Sequence, residues 1–160
     1  MINGINSREM ILEILLEIEE GEHSHVAIRN ALSKYQFLPK QDRAFITRVC
    51  EGTLEYRIQI DYIINSFSKV TVDKMKPAIR EILRSAVYQL KFMDRVPDSA
   101  VCNEAVKLAQ KKGFYNLKPF VNGVLRTAAR QMNELEYPSR EENLVRYLSV
   151  RYSMPEELVN

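Results

Sequence analysis

Apolar residues recur three and four positions apart along most of this chain, and that spacing favours α-helices over strands. The clearest example is a face of three helical turns formed by Ile79, Ile82, Leu83, Ala86, Val87 and Leu90. With 5 Gly and 6 Pro among 160 residues, the chain has too few turn signals for many short strands. The sequence therefore predicts an all-α fold, a single-domain bundle of about seven helices.

Helix boundaries follow from capping residues, glycines and prolines. Asn6 and Glu9 form a capping-box pattern, and Gly21 is a stop signal for the helix that follows them. The other predicted helices run from Ser24 to before Pro39, from Gln41 to Phe67 with a break at Gly52, from Pro77 to about Met93, from Pro97 to Gly113, and from about Leu117 to Met132. The predicted core is Ile11, Ile14, Leu15, Phe45, Val49, Ile60, Ile82, Leu83, Ala86, Val101, Ala105, Phe120, Val124 and Leu125.

The composition changes after Tyr137, where polar residues dominate. Ser139 and Glu142 form another capping-box pattern. Ser153, Pro155 and Glu156 predict the start of a further helix. We expect a boundary inside a longer protein here, with a frayed natural terminus as the alternative.

Two cysteines far apart indicate neither a disulfide framework nor a zinc site. The N-terminal residues lack the basic start and apolar stretch of a signal peptide, and no apolar run is long enough to span a membrane. The expected location is the cytoplasm, with no membrane association.

The net charge of +2 is distributed unevenly along the chain. Residues 68–130 contain thirteen Lys/Arg against five Asp/Glu, whereas residues 1–67 and 131–160 each have a net charge of −3. A basic middle segment indicates a polyanionic partner, although an ordinary solvated surface gives the same pattern.

Two rows of polar residues in this segment have helical spacing. Lys76, Arg80 and Arg84 form one, and the other consists of Lys118, Asn122, Arg126 and Arg130. Such rows can contact phosphates and base edges, and Phe114 or Tyr115 could stack on an unpaired base. The alternative is that the rows are solvated faces and the aromatic rings belong to the core.

Groups with catalytic chemistry are few. His23 and His25 share a turn but lack a third ligand or an orienting carboxylate, and Cys50 and Cys102 each lie in an apolar helical pattern. No Gly-rich loop follows a strand. The sequence predicts no catalytic residue, no metal site and no cofactor site in this chain.

Five separated blocks of the sequence are Asp42–Phe45, Glu51–Leu54, Ile82–Ala86, Val96–Val106 (VPDSAVCNEAV) and Phe120–Arg126 (FVNGVLR). Together, and in this order, they resemble the NusB family of RNA-binding helical domains. The resemblance covers about residues 5–132. It implies a NusB-like helical RNA-binding domain over residues 1–136, with residues 137–160 as a linker towards an absent catalytic domain.

The NusB family includes free-standing antitermination factors and the N-terminal domains of RsmB (Sun/Fmu) type ribosomal RNA cytosine-C5 methyltransferases. Gly52-Thr53-Leu54, the full Val96–Val106 block and Arg126 favour the second branch, and Tyr147–Glu156 resembles the linker to its catalytic part. Glu157, where Trp is expected, departs from that linker. The implied function is RNA binding for a small-subunit rRNA methyltransferase, with a free-standing NusB-type antitermination factor as the alternative.

The resemblance also implies the partners and the cofactor. In the full-length enzyme a C-terminal methyltransferase domain would bind S-adenosylmethionine and supply a nucleophilic cysteine after proline, and neither Cys50 nor Cys102 follows proline. Whether the chain is itself an enzyme therefore stays open, as does a homodimer. The predicted contacts to ribosomal RNA are Lys118, Asn122, Arg126 and Arg130, with Arg80, Arg84 and Arg8 as weaker candidates.

Overall fold

The computed structural model describes residues 6–138 and 144–156, and these residues form an all-α bundle, as predicted. The eight helices in this part of the chain are α1 (Ser7–Glu19), α2 (Ser24–Lys34), α3 (Lys40–Glu55), α4 (Arg57–Phe67), α5 (Pro77–Phe92), α6 (Asp98–Lys111), α7 (Lys118–Gln131) and α8 (Leu144–Tyr152). Short 3₁₀ turns lie at Val72–Lys74, Tyr115–Leu117 and Met132–Glu134. The pattern at Ser139 and Glu142 lies outside the described residues.

Helix α5 is the centre of the bundle, because it packs against α1, α3, α4, α6 and α7. Of the fourteen predicted core residues, twelve are buried, while Phe45 and Phe120 are partly buried against the same cluster. Phe45 lies at the edge of the core, where the guanidinium group of Arg8 covers its ring, 5.3 Å from the centroid.

Of the two hydrogen bonds in the predicted capping box at the start of α1, one forms. The Glu9 backbone N–H donates to Asn6 Oδ1 at 2.8 Å, but the Glu9 carboxylate bonds to Lys111 and Lys112 instead of returning to the Asn6 backbone. Burial alone would raise the pKa of Glu9, yet the bonds from the two lysines outweigh it and lower that pKa. The carboxylate therefore ties α1 to the end of α6.

The predicted break at Gly52 is wrong, because the helix continues to Glu55 and the chain bends at Tyr56. Gly52 lies beneath the ring of Tyr88, a residue of α5, with no room for a Cβ atom. Glycine at this position allows α3 and α5 to approach each other closely and does not interrupt the helix. Tyr56 occupies the bend with its ring stacked on Phe92, centroids 4.5 Å apart.

Helix α8 lies in the segment predicted to be a linker, just after the capping-box pattern at Ser139 and Glu142. It packs against α4, and both Ser149 and Val150 are buried. The N–H groups of Ile58 and Gln59, in the first turn of α4, donate to Ser153 Oγ at 3.1 and 3.3 Å. Ser153, expected to begin a further helix, thus caps α4 from about 95 residues away in the sequence.

Candidate nucleic-acid interface

Much of the positive charge of residues 68–130 is neutralised in space by carboxylates of α1 and α4. The ion pairs of this kind are Arg80–Glu19, Arg84–Asp61, Lys111–Glu9, Lys112–Glu9 and Lys112–Glu13. The acidic N-terminal part of the chain therefore folds against the basic middle part. The uneven charge along the sequence overstates the charge asymmetry of the folded surface.

Two of the three residues of the first predicted row, Arg80 and Arg84 on α5, are held inside this ion-pair network, while Lys76 is exposed and lies just before α5. Arg84 donates from Nε and Nη2 to the two carboxylate oxygens of Asp61, both at 2.8 Å, and from Nη1 to Glu81 at 2.7 Å. Burial disfavours its charged form, but the two carboxylates outweigh burial and raise the pKa of Arg84. Arg80 pairs with Glu19 and donates to the carbonyls of Val72 and Met75. Both guanidinium groups already have anionic partners.

Arg8 is also partly enclosed. Its guanidinium group covers the Phe45 ring, and burial lowers the pKa of Arg8 more than the nearby Glu104 raises it. Its Nε atom is buried and has no hydrogen-bond partner among the described residues. Arg8 therefore offers only part of its guanidinium group to a ligand.

The second predicted row lies on the surface of an antiparallel helix pair formed by α6 and α7. Lys118 at the start of α7 bonds to Gln110 near the end of α6, and Arg126 near the end of α7 bonds to Asn103 near the start of α6. The two helices run in opposite directions, so the residue numbers of two facing positions add up to about 229, as those of Arg126 and Asn103 do. We call this surface the α6–α7 polar surface, and it consists of Asn103, Lys107, Gln110, Lys118, Asn122, Arg126 and Arg130.

Arg126 is held at the middle of the α6–α7 polar surface by two amide side chains. It donates from Nε to Asn122 Oδ1 at 3.1 Å and from Nη2 to Asn103 Oδ1 at 2.8 Å. Neither partner is charged, so the positive charge of Arg126 remains available to an anion. Arg130, one turn further, is exposed and forms no ion pair in the described part of the chain. The four α7 residues cover about 18 Å along the helix axis.

Tyr115 stands at one end of the α6–α7 polar surface. Its side chain is 65% exposed, and Lys118 Nζ lies 4.7 Å from its ring centroid. Phe114 instead packs against the core. Of the two aromatic residues considered for stacking on a base, only Tyr115 presents an open ring.

Asn103, Lys107 and Gln110 are members of this surface that the sequence analysis did not single out. They lie at i, i+4 and i+7 on α6, and Lys107 is exposed with Glu104 3.6 Å away. Their helical spacing is present in the sequence. It places them beside the polar row of α7 if α6 and α7 form an antiparallel pair joined at Gly113.

The remaining groups of chemical interest are enclosed or isolated. Cys50 and Cys102 are buried free thiols, and burial raises the pKa of both. The rings of His23 and His25 stack with centroids 6.1 Å apart. Within residues 6–138 and 144–156, no three His, Cys, Asp or Glu side chains are placed to hold a metal ion, and no helix is long and apolar enough to cross a membrane.

The fold and the comparisons with known proteins agree on one class, helical bundles of the NusB type. The chain belongs to the NusB family, whose profile matches residues 5–130. It is 33% identical over 154 residues to the probable ribosomal RNA small subunit methyltransferase B of Bacillus subtilis (strain 168), covering 95% of this chain and 33% of that protein. It is also 33% identical over 130 residues to the transcription antitermination protein NusB of Dictyoglomus thermophilum, covering 81% of this chain and 85% of that protein.

Solved structures share the fold. "Crystal Structure of PH0851" superposes with a TM-score of 0.75 at 20% identity and covers 98% of this chain and 35% of that one. The structure of antitermination factors NusB and NusE in complex with dsRNA superposes with a TM-score of 0.71 at 21% identity, covering 78% of this chain and 93% of that one. The chain spans about a third of the length of the methyltransferase relatives that it matches.

Proposed function

We propose that this chain is the RNA-binding part of a ribosomal RNA (cytosine-C5) methyltransferase and that its α6–α7 polar surface contacts the rRNA substrate. The observation that carries the proposal is the extent of similarity. The match to the B. subtilis methyltransferase covers 95% of the chain and so includes α8, whereas the match to the D. thermophilum NusB covers 81%. The NusB family profile ends at residue 130, whereas α8 is packed on α4 and Ser153 directly after α8 caps α4, so the match to the methyltransferase includes a part of the folded bundle beyond that profile.

The proposed role is binding and orientation of RNA rather than chemistry. Lys118, Arg126 and Arg130 offer cations to phosphates, and Tyr115 offers a ring for stacking. S-adenosylmethionine does not fit the described residues, which include no strand followed by a Gly-rich loop. In this proposal the methyl donor and the nucleophilic cysteine belong to the catalytic domain of the full-length enzyme, with which this domain would act in the cytoplasm.

A free-standing antitermination factor is the second candidate function. It is favoured by the NusB relative of D. thermophilum, because this chain covers 85% of that protein. The two candidates share RNA binding at a NusB-type domain. They differ in whether a catalytic domain accompanies it.

The reading frame after Asn160 distinguishes the two candidates. We expect it to continue for a few hundred residues with a Gly-rich loop after a strand and a cysteine directly after proline. Sequencing of the genomic locus is the measurement. A stop codon immediately after Asn160 would contradict the methyltransferase proposal and favour the antitermination factor.

RNA binding by the α6–α7 polar surface is tested with an Arg126→Ala/Arg130→Ala double variant. Each lost phosphate contact to a single strand should lower the slope of log affinity against log salt by roughly 0.7, so the double variant should lose about 1.4. Fluorescence anisotropy with small-subunit rRNA fragments across a salt series measures this slope, and thermal melts check folding.

The matched control is Arg29→Ala/Arg57→Ala, which removes two exposed arginines from α2 and α4. It should leave the slope within error of that of the unchanged protein. A folded Arg126→Ala/Arg130→Ala variant with unchanged affinity and slope would move the binding surface elsewhere.

A further inference from the structure

We propose that a cleft between α4, α5 and α8 binds one nucleotide of single-stranded RNA, with the phosphate at Lys91 and Arg151 and the base on the ring of Tyr152. This inference rests on the proposed function and adds a second RNA contact to that of the α6–α7 polar surface. Arg151 and Tyr152 lie beyond residue 130, where the NusB family profile ends, so the contact depends on the α8 segment.

The cleft lies where the first turn of α4 meets the last turns of α5 and α8. Its lining includes Tyr56 and Gln59, Lys91 and Phe92, and the segment Arg151–Pro155. Its volume is about 600 Å³, within the range of about 300–1,000 Å³ that is usual for small-ligand sites. The cleft is therefore large enough for one nucleotide.

Two cations line the cleft, and neither has an anionic partner in the described part of the chain. Lys91 is half-buried, with Nζ 5.9 Å from the centroid of the Phe92 ring, and Arg151 is exposed, with its guanidinium carbon 5.6 Å from the centroid of the Tyr137 ring. Burial and the positive charge of Arg151 both lower the pKa of Lys91. Since the two cations repel each other, an anion between them would stabilise both charges.

One carboxylate, Glu55, is among the described residues that line the cleft. It is exposed at the end of α3 and forms no ion pair with either cation in the part of the chain that the structure describes. Two cations against one carboxylate give the lining a net charge of +1. The cleft thus differs from the surroundings of Arg84, which bonds to both Asp61 and Glu81.

Tyr152 supplies an open aromatic ring. It is 56% exposed, and the guanidinium carbon of Arg151 lies 5.8 Å from its ring centroid. The rings of Tyr56 and Phe92 instead stack on each other. An unpaired base can stack on Tyr152 whatever its identity, so this contact adds affinity without a base preference.

The cleft and Arg126 of the α6–α7 polar surface lie at the same end of the bundle. Arg126 bonds to Asn103 near the start of α6, and α6 begins at Asp98, six residues after α5 ends at Phe92. Six residues span at most about 20 Å. One single strand of RNA can therefore contact both surfaces.

The phosphate contacts are tested with a Lys91→Gln/Arg151→Gln double variant. Each lost phosphate contact to a single strand should lower the slope of log affinity against log salt by roughly 0.7, so this variant should lose about 1.4. Fluorescence anisotropy with small-subunit rRNA fragments across a salt series measures the slope, and thermal melts check folding. The matched control Arg29→Gln/Lys34→Gln removes one exposed arginine and one exposed lysine from α2 and should leave the slope unchanged.

The stacking contact is tested by fluorescence. The chain contains no tryptophan, so Tyr152→Trp places a single indole ring in the cleft. Stacking of a base should quench its fluorescence as a single-stranded rRNA fragment is titrated, and adding Lys91→Gln and Arg151→Gln should shift the midpoint to higher RNA concentration. The control Phe37→Trp, at a position 53% exposed between α2 and α3, should show no quenching.

An unchanged salt slope in a folded Lys91→Gln/Arg151→Gln variant would overturn the inference while leaving RNA binding at the α6–α7 polar surface intact. Unquenched fluorescence of Tyr152→Trp at saturating RNA would overturn it as well. Absence of salt-dependent RNA binding by the unchanged protein would contradict the proposed function itself. The two kinds of failure are therefore distinguishable.

Discussion

Replacement of Arg84 by alanine should lower the free energy of unfolding by about 3 kcal/mol or more. The substitution leaves Asp61 and Glu81 without the guanidinium group that bonds to three of their oxygens, and the loss of one member of a buried ion pair costs roughly 3–5 kcal/mol. Glu81 is 5% exposed, and burial already raises its pKa despite the nearby Arg84. Urea denaturation followed by circular dichroism measures the change.

Arg130→Ala is the matched control for Arg84→Ala, since it removes an exposed arginine with no ion pair among the described residues. It should change stability by less than about 0.5 kcal/mol. The stability of Arg84→Lys should lie between the stabilities of Arg84→Ala and Arg130→Ala. An ammonium group cannot reproduce the bidentate hydrogen bonds from the guanidinium group to Asp61. A loss below about 1 kcal/mol in Arg84→Ala would show that the ion-pair network contributes little to the fold.

Arg84→Ala also separates two explanations for a loss of RNA binding, namely the loss of a direct contact and the loss of folded protein. The sequence suggests Arg84 as a weaker candidate for an RNA contact, and the structure surrounds it with carboxylates. If its effect comes through folding, Arg84→Ala should weaken RNA binding only where the protein is partly unfolded. Its salt slope, measured well below the melting temperature, should remain unchanged.

Local pattern was sufficient to predict most helices, because an apolar face repeats within each of them. Local pattern could not predict which charged side chains form ion pairs, since Arg84 and Asp61 lie 23 residues apart in the sequence and Lys111 and Glu9 lie 102 residues apart. The spacing of Lys76, Arg80 and Arg84 is the same as that of the α7 row. Only the packing of α4 and α1 beside α5 shows that Arg80 and Arg84 have carboxylate partners.

Helix α8 illustrates a second limit of local pattern. It is nine residues long, shorter than a helix that is stable alone, and the contacts that hold it come from α4. Gln59 donates to the carbonyl of Arg151 at 2.9 Å, and Ser153 caps the first turn of α4. A polar segment with a short helical pattern resembles a linker until its packing partner is known.

Gly52→Ala should lower the free energy of unfolding by about 2 kcal/mol, although alanine favours helices more than glycine by about 1 kcal/mol. The added Cβ would overlap the ring of Tyr88, which is 6% exposed and packs against Phe92 with centroids 5.2 Å apart. Either the ring or α5 must move, and both positions belong to the packed core. Urea denaturation of the purified variant measures the change.

Gly123→Ala makes the same substitution within α7, where nothing lies within 4 Å of the new Cβ. It should stabilise the protein by up to about 1 kcal/mol, so one chemical change is expected to have opposite effects at two helical positions. A double-mutant cycle isolates the cause, because removing the ring in Tyr88→Leu should remove most of the penalty of Gly52→Ala. If Gly52→Ala were equally harmful with and without the ring, close approach to Tyr88 could not be the reason for glycine at this position.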